Sequence, residues 1–471
     1  MSGGIGDERA VAFGAGPAVP PRRAAIVRTF DRICVGAALL CPLFLTHGRG
    51  LAEACIDVAS ILFLLRSVLC CGWSWLGTPW VGAAALWWGW LCVCSLPFGP
   101  FGAGGWPGLF QALMTVRFLL FAACLQHVAL RDDRMRRAMR WILVACCLYI
   151  AAQMLIQAVF GFNLFGDPRF HDGTLTGPYD KPRAAAPLSR LLLPVMLAGS
   201  VWLAARARVP GGRAARGILA ALPLLAGIAV MVLAGQRMPL LLLLLGLLVS
   251  GLFLRALRPI LLGVLVLAPV LVAASAVASP ESFAHLVLLF ERQMEHFGRS
   301  PYGLIFNRAA SIAYSNPLTG LGFDGFRNGC DDPAYFRAWP PWGDRPGDGG
   351  GADICVQHAH NHALQALTDS GVPGLLLFAA MVVFWLVALG QGLLRPRQSG
   401  GQGGSRGGDG TFFAWRVGLF AAVFIQEWPI ASASAFTNMP LGGWFFVILG
   451  VGLADAYIER RRPFPRSDPH V

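Results

Sequence analysis

The chain has 471 residues, 56% hydrophobic and 13% charged, which leaves too little polar surface to clothe a soluble globule of that length. Its formal charge of +13 is carried by arginine apart from Lys181; because it sits in short connections between apolar stretches, it reads as contact with anionic membrane lipid and argues against a nucleic-acid partner. The twelve cysteines include no C-x-x-C pair, and most, Cys34, Cys41, Cys92 and Cys146 among them, lie inside apolar stretches as small hydrophobes, which argues against metal or haem binding through them.

In chain order, residues 1–25 are expected to form a disordered cytoplasmic N-terminus, rich in glycine and alanine up to residue 20. They lack the short apolar core and small-residue site of a cleavable signal peptide. Stretches of the roughly 20 apolar residues that a helix needs to cross a bilayer then recur. They predict spans near 30–47, 51–71, 80–97, 108–130, 141–160, 188–205, 217–235, 238–255, 259–278, 373–393, 412–431 and 440–457. The expected fold class is an all-α polytopic membrane protein with about twelve transmembrane helices and a large periplasmic loop containing short helices. Its divisions are a membrane domain over 26–278 holding spans 1–9, the loop with catalytic elements over 279–372, a membrane domain over 373–458 holding spans 10–12, and a cytoplasmic tail over 459–471. No internal repeat is visible, and the glycine-rich stretch near 399–410 reads as flexible.

With a cytoplasmic N-terminus, alternate connections fall inside, and those connections hold the arginines that the positive-inside rule requires. Arg131, Arg134, Arg136, Arg137 and Arg140 share one of them, and Arg206, Arg208, Arg213 and Arg216 another. Arg255 with Arg258, then Arg395, Arg397 and Arg406, then Arg460, Arg461 and Arg462 continue the pattern, while the outside connections 98–107 and 432–439 carry none.

Residues 279–370 form one long outside insertion with ten acidic side chains against six arginines, the reverse of the inside connections. Residues 281–297 place Phe283, Leu286, Val287 and Phe290 on one face, suited to lie along the membrane surface. A second helix is expected over 302–315, then loop up to 351. Cys330 and Cys355 are the only cysteines of the insertion, and in an oxidising compartment they are expected to form a disulfide; two buried thiols are the alternative.

The sharpest local pattern is His358-Ala-His360-Asn361-His362 followed by Gly371-Val-Pro-Gly374. Asn361 suits the N-cap of a short helix over 362–370, Gly371 its stop, and Pro373 the first turn of the next span. His360 then stands just ahead of a helix N-terminus, whose positive dipole end disfavours imidazolium and leaves a neutral ring able to accept a proton. Histidines that merely cap and bond a loop remain a second reading. A metal site is a third, since His358 and His362 share a helical face.

Arg237 stands in the tight turn Gly235-Gln236-Arg237-Met238-Pro239 between two apolar spans at the outer face, where an arginine breaks the positive-inside pattern and needs a partner. An anionic ligand, interfacial snorkelling or a loop acid would each supply one. Arg308 lies on the expected surface helix among Leu304, Ile305, Ile312 and Ala313, on a face directed at the bilayer. Two guanidiniums and a base at one membrane face suggest a phosphate-bearing lipid and an attacking hydroxyl, because arginine forks grip phosphate oxygens bidentately. No P-loop, dinucleotide fingerprint or DxD-like cluster supports a nucleotide-sugar donor, a cofactor or a divalent metal. A donor used outside the cytoplasm must carry its own activation, as a lipid diphosphate does.

On these residues the chain resembles the O-antigen ligase and polymerase superfamily of bacterial envelope enzymes. His360-Asn361, nine residues, Gly371 and Gly374 resemble the ligase signature; Arg308 followed by Asn316-Pro317 and Gly320-Leu321-Gly322 is similar to the family's helix arginine and Pro-x-x-Gly-x-Gly segment, and Arg237 to its arginine between two central spans. The resemblance covers mainly residues 230–395. It implies a multi-pass glycosyltransferase of the bacterial inner membrane, with its active site facing the periplasm, an undecaprenyl-diphosphate-linked glycan as donor and a glycolipid acceptor. In that analogy His360 activates the acceptor hydroxyl and Arg237, Arg308 and Asn361 bind substrate, with inversion and without metal. Ligase and polymerase share these signatures; the reading here leans to ligase, with a lipid A core sugar as acceptor. The Gly-Gln-Arg-Met-Pro turn and the proline-, glycine- and tryptophan-rich loop over 331–351 depart from the family pattern and bear on the acceptor.

Two rival classes remain. A lipid-linked glycan transporter would place ionisable residues deep in spans, where Asp57, Arg66 and Arg117 are the candidates. A non-catalytic glycan-binding subunit would stack sugars on Tyr335, Trp339 and Trp342.

Overall fold

The computed structural model describes residues 21–98, 101–206, 212–337, 349–394, 408–432 and 436–461. Of the disordered N-terminus expected over 1–25 and the flexible stretch expected near 399–410, residues 1–20 and 399–407 lie outside them, as do Trp339, Trp342 and the tail beyond residue 461, whereas residues 21–25 and 408–410 are helical, which corrects those bounds. Among the described residues the chain is helical, with one isolated bridge between Phe162 and Pro168 and no longer strand.

A helix stands at each of the twelve expected places. They are α1 (Pro21–His47), α2 (Arg49–Cys70), α3 (Pro79–Cys94), α4 (Gly105–Ala129), α5 (Asp133–Phe160), α6 (Ala185–Arg206), α7 (Gly212–Leu233), α8 (Arg237–Phe253) and α9 (Arg258–Ala278) before the insertion. The insertion holds α10 (Pro301–Ser315), and α11 (His362–Gly390), α12 (Gly408–Gln426) and α13 (Leu441–Arg461) follow it. Among the described residues seven of these, α1, α4, α5, α6, α7, α9 and α11, are long and apolar enough to cross a bilayer by length and composition. The shorter apolar helices are α3, α8, α12 and α13. Local chemistry sets several ends. The Asp132 carboxylate accepts from Arg134 N at the start of α5, and Gly161, with φ 84°, ends it.

Two arginines inside the spans are answered by carboxylates. Arg66 meets Asp31 at 2.6 Å and Arg117 meets Asp57 at 3.1 Å, joining α1 to α2 and α2 to α4. Such pairing meets the demand of a charge within a span by bracing helices, and it leaves no chain of acceptors through these three residues of the kind the transporter reading needs.

Several connections gather at the end of the bundle that carries the insertion. Ala103 N donates to Leu321 O at 2.8 Å, Arg169 pairs with Glu281, and Gln236 Nε2 donates to Pro182 O at 2.7 Å. The stretch expected over 281–297 is helical from Pro280 to Glu295, with a π-turn at Ala284–Leu288. Leu286 is buried on the bundle while Phe290 stays 41% exposed.

Candidate functional site

The two glycine-bearing segments form one packed unit. Leu321 N donates to Thr368 O at 2.9 Å and Val372 N to Pro317 O at 2.7 Å, so the chain after α10 lies directly on the break in α11. Backbone approach this close leaves no room for a side chain: a Cβ on Gly320 would stand 2.4 Å from Thr368 O, and one on Gly371 2.5 Å from Leu318 O. Ser370 and Gly371 leave helical geometry, Gly371 with φ 67°, and divide the short helix at His362 from the long apolar helix that follows.

Asn361 caps that short helix by accepting from Leu364 N at 2.9 Å, and its amide donates to Pro429 O at 2.7 Å and Ala431 O at 3.1 Å. The side chain is buried, with its donors and cap acceptor in use. These bonds hold the histidine turn against the segment after α12.

His360, immediately before the cap, has φ 53°, a left-handed conformation rarely taken by a residue other than glycine and typical of functional turns. Its ring lies edge-on to Tyr302, with centroids 5.6 Å apart, and 4.4 Å from the ring of His358. Burial holds the His360 imidazole below its ordinary pKa, favouring the neutral ring. His358 is pushed down to about 4, first by burial and then by the two neighbouring histidines, and its Nδ1 is buried without a hydrogen-bond partner among the described residues. His362 turns away from both. Its Nδ1 meets both oxygens of Glu427, at 2.9 and 3.1 Å, in a pair whose side chains are 6% and 1% exposed. Among the described residues no three His, Cys, Asp or Glu side chains converge as metal ligands would.

The two expected arginines sit in different surroundings. Arg237 opens α8; its Nε donates to His285 O at 2.7 Å, its Nη1 to Gln293 Oε1 at 2.6 Å, and its guanidinium lies 5.7 Å over the Phe290 ring. It remains partly exposed, and Tyr302 is near enough to act on its charge. Tyr302 is thus in ring contact with His360 and within electrostatic range of Arg237.

Arg308 does not face the bilayer, which corrects the expectation for that helix face. It is 0% exposed and its apolar neighbours Ile305, Ala309 and Ile312 pack on Phe326, Cys330 and Ala359 in a small core of the insertion. Its Nη2 donates to the carbonyls of Gly349, Gly350 and Gly351 at 3.2, 2.7 and 3.1 Å, its Nη1 to Cys330 O, and Phe336 lies 4.2 Å beneath it. Cys330 and Cys355 are joined in a disulfide, with their Cα atoms 5.6 Å apart, beside this guanidinium.

Sequence reading passed over three residues of this region: Tyr302, Glu427 and Arg190. The signal for the last two was present, since both fall inside predicted spans, where an ionisable side chain is costly and marks function or a partner.

The fold and this end of it define a multi-pass helical membrane protein with a folded, disulfide-closed insertion and a partly buried imidazole at the junction. Residues 222–379 match the family model described as O-antigen ligase. The match spans α8, the insertion and the histidine turn, and it supports the O-antigen ligase superfamily and a glycosyltransferase of ligase or polymerase type. No curated protein matches the chain.

Proposed function

We propose that the protein transfers a glycan from undecaprenyl diphosphate to a hydroxyl of a glycolipid acceptor, a lipid A core sugar, at the periplasmic face of the bacterial inner membrane. In this reading all twelve helices span, both termini are cytoplasmic and the insertion is periplasmic. The observation that carries it is the histidine turn, where His360, held toward its neutral form, lies edge-on to Tyr302, while Arg237 at the start of α8 keeps a partly exposed guanidinium.

The acceptor oxygen attacks the anomeric carbon and gives its proton to His360, while the bond to the diphosphate breaks and the electron pair leaves with the diphosphate. Attack opposite the leaving group inverts the anomeric carbon, and no metal is needed if Arg237 answers the charge growing on the diphosphate. Arg308 is given a positioning role, since its donors are taken by carbonyls of the segments that frame the histidine turn. With a second lipid-linked repeat as acceptor the same steps describe a polymerase.

Reconstitution of the purified protein with a lipid-diphosphate glycan and either acceptor tests the reading. Transfer to one acceptor, abolished in His360→Ala with membrane insertion intact, is the expected result; full transfer by that variant, or none by the wild type with either acceptor, refutes it.

A further inference from the structure

Arg190 lies five residues into α6, about 8 Å below its start at 1.5 Å per residue. It is 6% exposed. Its Nη1 donates to Ala186 O and to Ser189 Oγ at 3.3 Å, but its Nε is buried with no hydrogen-bond partner among the described residues. Both oxygens of Glu427, the nearby carboxylate, are spent on His362, so Glu427 acts on Arg190 only from beyond ion-pair contact. Arg308 also leaves its Nε unanswered, but its two Nη atoms take four backbone carbonyls.

Arg190 lines a cavity between the start of α6, the end of α12 and the start of α13. Gln426 and Ser432 are its other polar groups, and Pro187, Trp444 and Phe445 contribute to its apolar walls. A guanidinium held in such a place with an unanswered N–H is costly unless an oxygen-rich ligand completes it. A planar N–H fork in an apolar wall, close to the end of a helix bundle, matches a phosphate group on an apolar carrier better than a hydrated free ion.

We infer that the cavity around Arg190 is a second phosphate-binding site, separate from Arg237, that seats the phosphate head of a lipid. The identity of that lipid rests on the transfer reading: with the donor diphosphate at Arg237, a second lipid phosphate belongs to the acceptor, as a lipid-linked acceptor requires.

The test is equilibrium binding to the full-length protein in phosphatidylcholine nanodiscs, with inorganic pyrophosphate and farnesyl diphosphate as separate probes. Wild type, Arg190→Gln, Arg237→Gln and Ser432→Leu are compared, the last narrowing the polar end of the cavity without touching the guanidinium. A built site predicts two classes of farnesyl diphosphate binding in the wild type. Arg190→Gln and Ser432→Leu should each weaken one class about 10- to 100-fold and leave the other in place, and Arg237→Gln should do the converse. Equal effects with pyrophosphate make the ligand a free anion and overturn the lipid assignment. Wild-type binding in both Arg190→Gln and Ser432→Leu overturns the site itself; should Arg190→Gln fail to fold, Ser432→Leu alone decides. Loss of binding in Arg237→Gln alone leaves the transfer reading standing without this inference, whereas a single class that depends on Arg190 and not on Arg237 removes the donor role of Arg237.

Discussion

Arg237 and Arg308 both belong to the pattern by which the chain resembles the O-antigen ligase superfamily, yet they occupy opposite physical situations. Arg308 is sealed inside the insertion, its Nη groups answered by carbonyls from residues 330 and 349–351. Arg237 is fixed by one carbonyl and one amide oxygen over a phenyl ring and stays partly exposed. In the proposed reading, the groups that complete each donor set are what separate a structural guanidinium from a ligand-binding one. A cation completed by backbone carbonyls organises a loop; one left partly open can meet charge that develops during a reaction.

The strongest way to break this contrast is Arg308→Ala. Removing the guanidinium leaves several buried carbonyls without donors, at a cost of about 3–5 kcal/mol. The insertion should become open to limited proteolysis and transfer should vanish with it. Arg308→Lys should rescue little, because one ammonium cannot span carbonyls on two segments as a planar fork does. A stable, protease-resistant Arg308→Ala protein that had lost only substrate affinity would return Arg308 to the diphosphate. Arg237→Ala should do the reverse, lowering transfer about 10²- to 10³-fold while thermal unfolding stays within error of the wild type. A parallel loss of stability and activity would show that the two arginines do the same work.

The positions of the helices were legible because apolar length is a local property of sequence. The α10 helix and the break at Gly371 were legible for the same reason: Ser300 caps the former by accepting from Gly303 N, and Asn361 and Gly371 bound the short helix before the break. The surroundings of Arg308 were not. A helical face shows which residues point together but not what covers them, and here the cover comes from a segment some forty residues later, Gly349–Gly351. Asn361 was half legible. Its cap follows from its position, while its bonds to Pro429 and Ala431 span about seventy residues and depend on how α12 ends. Glycines 320 and 371 read as turn residues in sequence, yet their stronger constraint is mutual, since each sits where the other segment's backbone leaves no space.

Asn361→Ala should have a smaller effect, about 1–2 kcal/mol, through loss of a cap and of two carbonyl partners. It should lower transfer by loosening the His360 turn and leave KM for the donor unchanged. A selective rise in donor KM would mean that its amide touches substrate.

The smallest effects separate the two neighbouring imidazoles by pH. His358 titrates near 4 in the fold, against about 6.5 in the unfolded chain. The unfolded state therefore binds the extra proton first, and stability rises with pH between these values: it is fully present above about 6.5 and lost as pH falls toward 4. His360 is shifted the same way by burial, so its neutral, proton-accepting form persists below the ordinary imidazole range and the acid limb of transfer should lie below about 6.5. Because both effects weaken the protein on the acid side, a fall in activity alone cannot assign either. In His358→Gln the acid loss of protease resistance should diminish while the acid limb of the initial transfer rate stays where His360 puts it. If the rate limb moves with the stability limb, the proton that matters to transfer is on His358, and His360 serves only the turn it occupies.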